Sequence, residues 1–343
     1  MKSANLDVLR AIAVLSVFVA HLLGSTGVYR MGSLGRFGVI MFFVHTSLVL
    51  MASLDRLEHG GFGAGWRLAT AFWTRRAFRI YPLSMVFVVL TVALGVPKEL
   101  GEYYTWPGMP AFLTNLALSQ NLFYHPDVLG ILWSLPLEVQ MYALLPGAYL
   151  VLRQGWRLAP AGLWILSVVL ALTLPVLSPR LGVFTYAPCF TAGIVAFAVG
   201  RSGPRRLPGW AWLPIVLGVI LLFGPFDNIS LPEKMPRAWV LSLVLGLAAG
   251  LTRENTWTGL NHAAHWVAEY SYGIYLSHIV VFWVAIYVMA DWSFAARAAV
   301  LAIASVGVPV ICYRYVEQPL MRYGAVVAQR LRPVEPAAHA RTV

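Results

Sequence analysis

Apolar residues in this chain come in runs of about twenty, not in the stripes of a soluble amphipathic helix. Ten runs stand out, at about 6–24, 36–54, 78–96, 130–152, 159–177, 183–200, 209–225, 237–252, 268–290 and 296–315. A helix rises about 1.5 Å per residue, so each run is long enough, or nearly so, to cross a hydrocarbon core roughly 30 Å thick. The pattern predicts an all-α, polytopic membrane bundle of about 10 transmembrane helices. Pro175, Pro179 and Pro188 interrupt the fifth and sixth runs, so their limits are set less sharply. No internal repeat is visible. Pro97 to Gly130 forms the longest connection, and within it Ala111 to Asn121 is apolar enough for a re-entrant or interfacial helix. The division expected is a transmembrane unit over 1–324 and a tail over 325–343, disordered over 331–343.

Composition agrees with this. Of 343 residues 59% are hydrophobic and 11% charged, against about 25% charged in a soluble domain. The net charge of +11 points to the membrane, not to nucleic acid, because the basic residues gather in connections and the tail. With the N-terminus inside, sixteen Lys and Arg fall on the inner side and seven on the outer, which predicts an N-in/C-in chain. Cys189 and Cys312 lie in apolar runs and predict neither a disulfide framework nor a metal site. Only Lys2 precedes the first run, which is too long and too charged to be a cleaved signal peptide.

Candidate chemistry lies in the polar residues that interrupt the runs. Arg10 and His21 are eleven residues apart. At about 100° per residue this is three turns plus about 20°, so both lie on nearly one face, roughly 16 Å apart along the axis. Ionisable groups inside a span are functional candidates, although a snorkelling arginine and a histidine bonded to a neighbouring helix would look the same. His45 is a second imidazole, in the second run. Arg75, Arg76 and Arg79 place three guanidinium groups before the third run, suited either to a phosphate-rich ligand or to anionic headgroups. Ser134, Glu138 and Tyr142 share one face of the fourth run, and Glu138 needs a partner: His21, His45 or an arginine. The polar external connection holding Asn121 and His125 is where a hydroxylated acceptor would dock. Tyr270, Tyr272, Tyr275 and His278 read as an interfacial aromatic belt, and Arg314 with Glu317 as an i,i+3 pair.

In this order the motifs resemble the acyltransferase 3 family of integral membrane O-acyltransferases. The resemblance covers about residues 5–324. The family's arginine, ten residues and a histidine correspond to Arg10 and His21; its FFV pattern to Phe42, Phe43 and Val44; its R-x-x-R-I-Y-P to Arg76, Arg79, Ile80, Tyr81 and Pro82. Its W-S-L-x-x-E-x-x-x-Y corresponds to Trp133, Ser134, Leu135, Glu138 and Tyr142. Its S-Y-x-I-Y-L-x-H corresponds to Ser271, Tyr272, Ile274, Tyr275, Leu276 and His278, and its R-x-x-E-x-P to Arg314, Glu317 and Pro319. The chain departs from the pattern after FFV, with His45, Thr46 and Ser47 in place of leucine, serine and glycine. Losing that glycine is expected to loosen helix packing, and Pro136 is expected to kink the fourth span.

The resemblance implies transfer of an acyl group, most often acetyl, from acyl-coenzyme A to a sugar hydroxyl of a cell-surface polysaccharide or a glycosylated metabolite, at the bacterial cytoplasmic membrane. His21 would be the general base, oriented by Glu138. Arg10, Arg75, Arg76 and Arg79, with Tyr81, would hold the donor. Ser134, Tyr142, His45, Trp133 and Asn121 would line the substrate site, with no metal. The competing class is a transporter or flippase of glycans or lipids. Oligomeric state is not readable, and a homo-oligomer stays open.

Overall fold

The computed structural model describes residues 3–27, 32–203, 206–224 and 231–332. Lys2, Arg30, Arg205, Arg341 and the tail beyond 332 lie outside the described residues. Thirteen α-helices are seen among the described residues. Among the described residues, nine helical segments are long and apolar enough to cross a membrane, and a tenth apolar segment, Gly209–Phe223, is shorter. The chain is thus an all-α polytopic bundle.

Helix α1 (Ala4–Ser25) starts where Ser3 accepts a hydrogen bond from the Leu6 amide, and Asp7 lies in its first turn, both of which favour a helix N-terminus. Helix α2 (Gly32–Leu57) returns antiparallel to it. The two backbones approach closely because Gly38 has no side chain; a Cβ there would lie 2.7 Å from the Ala13 carbonyl oxygen. Helix α8 (Val183–Ser202) packs on the other side of α2, where Gly193 sits against the Val44 carbonyl and the Ser47 hydroxyl. The loosening expected from Ser47 is therefore not seen. The small residue is on the facing helix, and Ser47 turns its hydroxyl back to the Phe43 carbonyl at 2.7 Å.

Helix α3 (Trp66–Leu94) starts some twelve residues before the expected boundary. The stretch before residue 78 is amphipathic: Leu68, Ala69, Ala71 and Phe72 are buried while Arg67 is exposed. Arg75, Arg76 and Arg79 therefore lie in mid-helix, not at its start. The helix stops at Gly95, whose φ of 64° lets its N–H and that of Val96 close back on the last turn. The long connection forms two short helices, α4 (Met109–Leu116) and α5 (Gln120–Phe123), in place of the one expected. Buried Asn115 braces them, bonding the carbonyls of Ala111 and Pro126 and the amide of Val128.

Helix α6 (Ser134–Leu152) begins at Ser134, so Pro136 falls in its first turn, where no intrahelical N–H is needed. A proline there breaks no intrahelical hydrogen bond, so it does not require the expected kink. Helices α7 (Ala159–Leu177), α9 (Trp212–Phe223), α10 (Leu231–Leu251) and α11 (Thr258–Phe282) follow. The last span is α12 (Phe294–Cys312), a π turn over Tyr313–Glu317 and α13 (Gln318–Gln329). Pro319 lies in the first turn of α13. Helix runs to Gln329, through the first five residues of the expected tail.

Helices α1, α2, α8 and α11 form the centre. Helices α7 and α12 lie outside and expose Ile165, Val169, Leu172, Ile303, Val306 and Ile311, apolar surface that suits lipid and not water. At the end where α1 begins, Asp55 pairs with Arg201, and Glu58 with Arg153 at 2.8 Å; Tyr149 donates to both carboxylates. These contacts tie α2 and the turn after it to α6 and α8.

Asp127, in the long connection, accepts from Gln120 at 2.9 Å. Burial holds its carboxyl above the usual range, partly offset by that hydrogen bond. A carboxyl whose folded pKa is raised stabilises the fold most in acid and loses that contribution as pH rises through the folded value. Asp127→Asn, which keeps the acceptor oxygen, should therefore raise the melting temperature at pH 7.5 by about 1–2 °C. The gain should vanish at pH 4. A loss of stability at pH 7.5 would contradict this account.

Candidate active site

Three polar contacts join α1 to α11. Asp7 Oδ2 lies 2.8 Å from His265 Nδ1, Arg10 Nε donates to Ser271 Oγ at 2.5 Å, and His21 Nδ1 lies 2.9 Å from His278 Nε2. Residue numbers rise together on both helices, so the two run parallel. Arg10 and His21 do share one face, and what that face meets is α11.

Around Arg10 lies a cavity of about 90 Å³ lined by Arg10, His45, Arg76, Arg79, Ser134, Glu138, Tyr142, Ser271, Tyr272 and Tyr275, with Val39, Phe42 and Phe43 among its apolar walls. Ser134, Glu138 and Tyr142 thus project together, as their spacing predicts. Tyr142 donates to Glu138 Oε1 at 2.5 Å. Arg79 is held by Glu317 at 2.6 Å, in a pair whose carboxylate is wholly buried, and lies 5.6 Å from the Tyr272 ring centre. Glu317 therefore pairs across the bundle with Arg79, not with Arg314. Arg10 and Arg76 have no carboxylate within ion-pair distance among the described residues. Arg75 does not line this cavity. Tyr81, with Trp73, Arg76 and Tyr142, lines a neighbouring groove of about 360 Å³ between α3 and α6, and its hydroxyl donates to the Ala117 carbonyl.

A second cavity, of about 430 Å³, lies toward the other end of α1. Its lining includes His21, Arg36, Lys98, Glu99, Gly130, Trp133 and Tyr275. Burial raises the Glu99 carboxyl from its ordinary range. The Arg36 guanidinium lies 5.0 Å from the Trp133 ring centre. Asn121 reaches neither cavity; it accepts from Gln140 at 2.9 Å, joining α5 to α6. Val39 and Tyr275 line both cavities. Tyr275 is fixed there by donating to the Ile131 carbonyl at 2.6 Å and by a 2.8 Å contact with Ser134 Oγ.

Glu138 does not touch His21. His21 Nδ1 instead lies 2.9 Å from His278 Nε2, so the contact expected from the carboxylate is made by a second imidazole. Helix periodicity gives the direction in which Glu138 projects but not its depth, and its depth is that of Arg10. His278 Nδ1 lies 2.7 Å from the Tyr275 carbonyl and 3.2 Å from that of Ile274. A carbonyl only accepts, so this nitrogen carries the proton and His278 Nε2 accepts from His21 Nδ1–H. With both rings neutral, His21 Nε2 keeps a free lone pair, and no hydrogen-bond partner meets it among the described residues. Ser271, Tyr275 and His278 fall at i, i+4 and i+7. That spacing sets them on one buried face and distinguishes them from an interfacial belt.

The sequence matches the family described as acyltransferase domain over residues 3–314. The chain belongs to this acyltransferase family. It is similar to the acyltransferase MdmB of Streptomyces mycarofaciens, with 26% identity over an alignment covering 97% of this chain and 94% of that protein. No solved structure matches it. The protein is therefore a multi-pass membrane enzyme that transfers acyl groups, and membership favours acyl transfer over the transport of glycans or lipids.

Breaking a buried ion pair costs about 3–5 kcal/mol, because the remaining charge stays buried. Glu317→Ala should therefore strongly lower thermal stability in detergent, and Arg79→Ala combined with it should recover much of the loss. Additive losses in the double variant would contradict a direct pair.

Proposed function

We propose that this enzyme moves an acyl group, most often acetyl, from acyl-coenzyme A to a hydroxyl of a sugar on a cell-surface polysaccharide or glycosylated metabolite. The observation that carries this reading is the pair of cavities meeting at Val39 and Tyr275, one cationic and one holding an imidazole with a free nitrogen. The positive-inside count supports placing the cationic cavity toward the cytoplasm of a bacterial inner membrane. Arg10 and Arg76 would bind donor phosphate, while Arg79, already neutralised by Glu317, would brace the cavity. The roughly 16 Å rise from Arg10 to His21 is a span the extended pantetheine arm can cover, passing Tyr275 on the way.

The acceptor would enter the larger cavity. His21 Nε2 would take the proton of the acceptor hydroxyl as its oxygen attacks the thioester carbonyl. The C–S bond then breaks, the acyl group stays on the acceptor oxygen, and the thiolate leaving group takes up the proton. His278 would be a positioning residue, since its carbonyl-fixed tautomer sets which His21 nitrogen is free. The thioester supplies the activation, so no metal is required.

Three measurements test this. Coenzyme A and acetyl-coenzyme A at tens of micromolar should stabilise the purified enzyme, and Arg10→Ala and Arg76→Ala should weaken that effect; no shift in the wild type would overturn the donor assignment. His21→Ala should lower kcat at least about 10²-fold, the range expected of a general base, while leaving the thermal shift intact. Retained activity would remove His21 as the base. His278→Ala should lower kcat with donor KM unchanged, whereas a purely structural role would move stability and both constants together.

A further inference from the structure

His45 lies in mid-span on α2, 4% exposed, in the wall of the cationic cavity. Its Nδ1 is buried without a hydrogen-bond partner, and among the described residues nothing bonds Nε2. Buried polar groups are normally paired, and an exception calls for an explanation. Most other polar side chains of this wall are engaged: Arg10 with Ser271, Arg79 with Glu317, Glu138 with Tyr142, and Ser134 with Tyr275. Arg76 Nε shares the condition of His45, so two groups of one cavity are left for something that enters it.

Their chemistries are complementary. A guanidinium has only donors and suits an anion; a neutral imidazole offers one donor and one acceptor. The ligand that satisfies both carries an anionic group and, next to it, a hydroxyl or secondary amide that both donates and accepts. We infer that His45 is a donor-selectivity residue, bonding the hydroxyl and amide portion of the pantetheine arm just beyond the phosphates held by Arg10 and Arg76. This rests on the acyl-coenzyme A reading above and adds a residue and a ligand portion to it. It also gives the histidine a purpose at this position, because leucine would fill this space without leaving buried nitrogens unpaired.

The test compares the wild type with His45→Leu and His45→Gln, each checked for an unchanged melting temperature without ligand. The donors are acetyl-coenzyme A, S-acetylpantetheine and S-acetyl-N-acetylcysteamine, which lacks the pantoyl hydroxyl and its amide. His45→Leu should raise KM for the two pantetheine-bearing donors by roughly 5- to 10-fold, the effect of one or two hydrogen bonds. KM for the truncated donor and kcat at saturation should not change, and His45→Gln should restore most of the loss. Equal KM values in the wild type and His45→Leu would overturn this inference while leaving the donor site intact. An equal rise for all three donors would also overturn it, as a general packing effect. If the wild type uses none of the three donors, both this inference and the reading it rests on fall.

Discussion

The structure depends on a polar seam buried between two parallel helices. A charged side chain at the middle of a span costs about 2.5–3.5 kcal/mol even on the mildest scales, so Arg10 needs polar company inside the bundle. Helix α11 supplies it with Ser271, and the same helix meets His21 with His278. Because α1 and α11 run side by side in one direction, every polar group on one face of α1 is answered at its own depth. That alignment brings Tyr272 and Tyr275 into the interior, where they wall the cationic cavity.

The two cavities differ in how their charges are arranged. Arg79 is neutralised by a carboxylate that solvent does not reach, so it serves as a strut between α3 and the last span. Arg10 and Arg76 lie near Glu138, but that carboxylate is engaged by Tyr142, and the cavity keeps an excess of positive charge suited to an anion. Toward the other end of α1 the imidazole pair is matched within the protein except for one His21 nitrogen. The cationic cavity and the imidazole pair are thus separated along α1 by about three turns, with Tyr275 between them.

Much of this was readable in the chain. Long apolar runs give the helices because the bilayer demands their length, and the spacing of Arg10 and His21 gives one face because a helix repeats every 3.6 residues. The seventh run fell short, its helical segment spanning only Gly209–Phe223. Ser134, Glu138 and Tyr142 project together for the same periodic reason. What periodicity does not carry is relative depth between helices distant in sequence. Glu138 therefore looked available to His21, and Glu317 looked bound to its neighbour Arg314 when its partner lies 238 positions away. The tyrosines around His278 resemble an interfacial belt, although its seven-residue spacing from Ser271 marks a second face to match that of α1. Apolar patterning does not show the helical start of α3, because arginines there break the apolar run while the helix continues through them.

The central claim is that donor and acceptor enter by different ends of the bundle and meet past Tyr275. It is tested most directly in sealed proteoliposomes with the enzyme oriented one way and labelled acetyl-coenzyme A supplied on one side only. The account predicts that label is consumed when the donor is on the side where α1 begins, and that Arg76→Ala weakens this use. Consumption from the side where α1 ends, with none from the other, would contradict it.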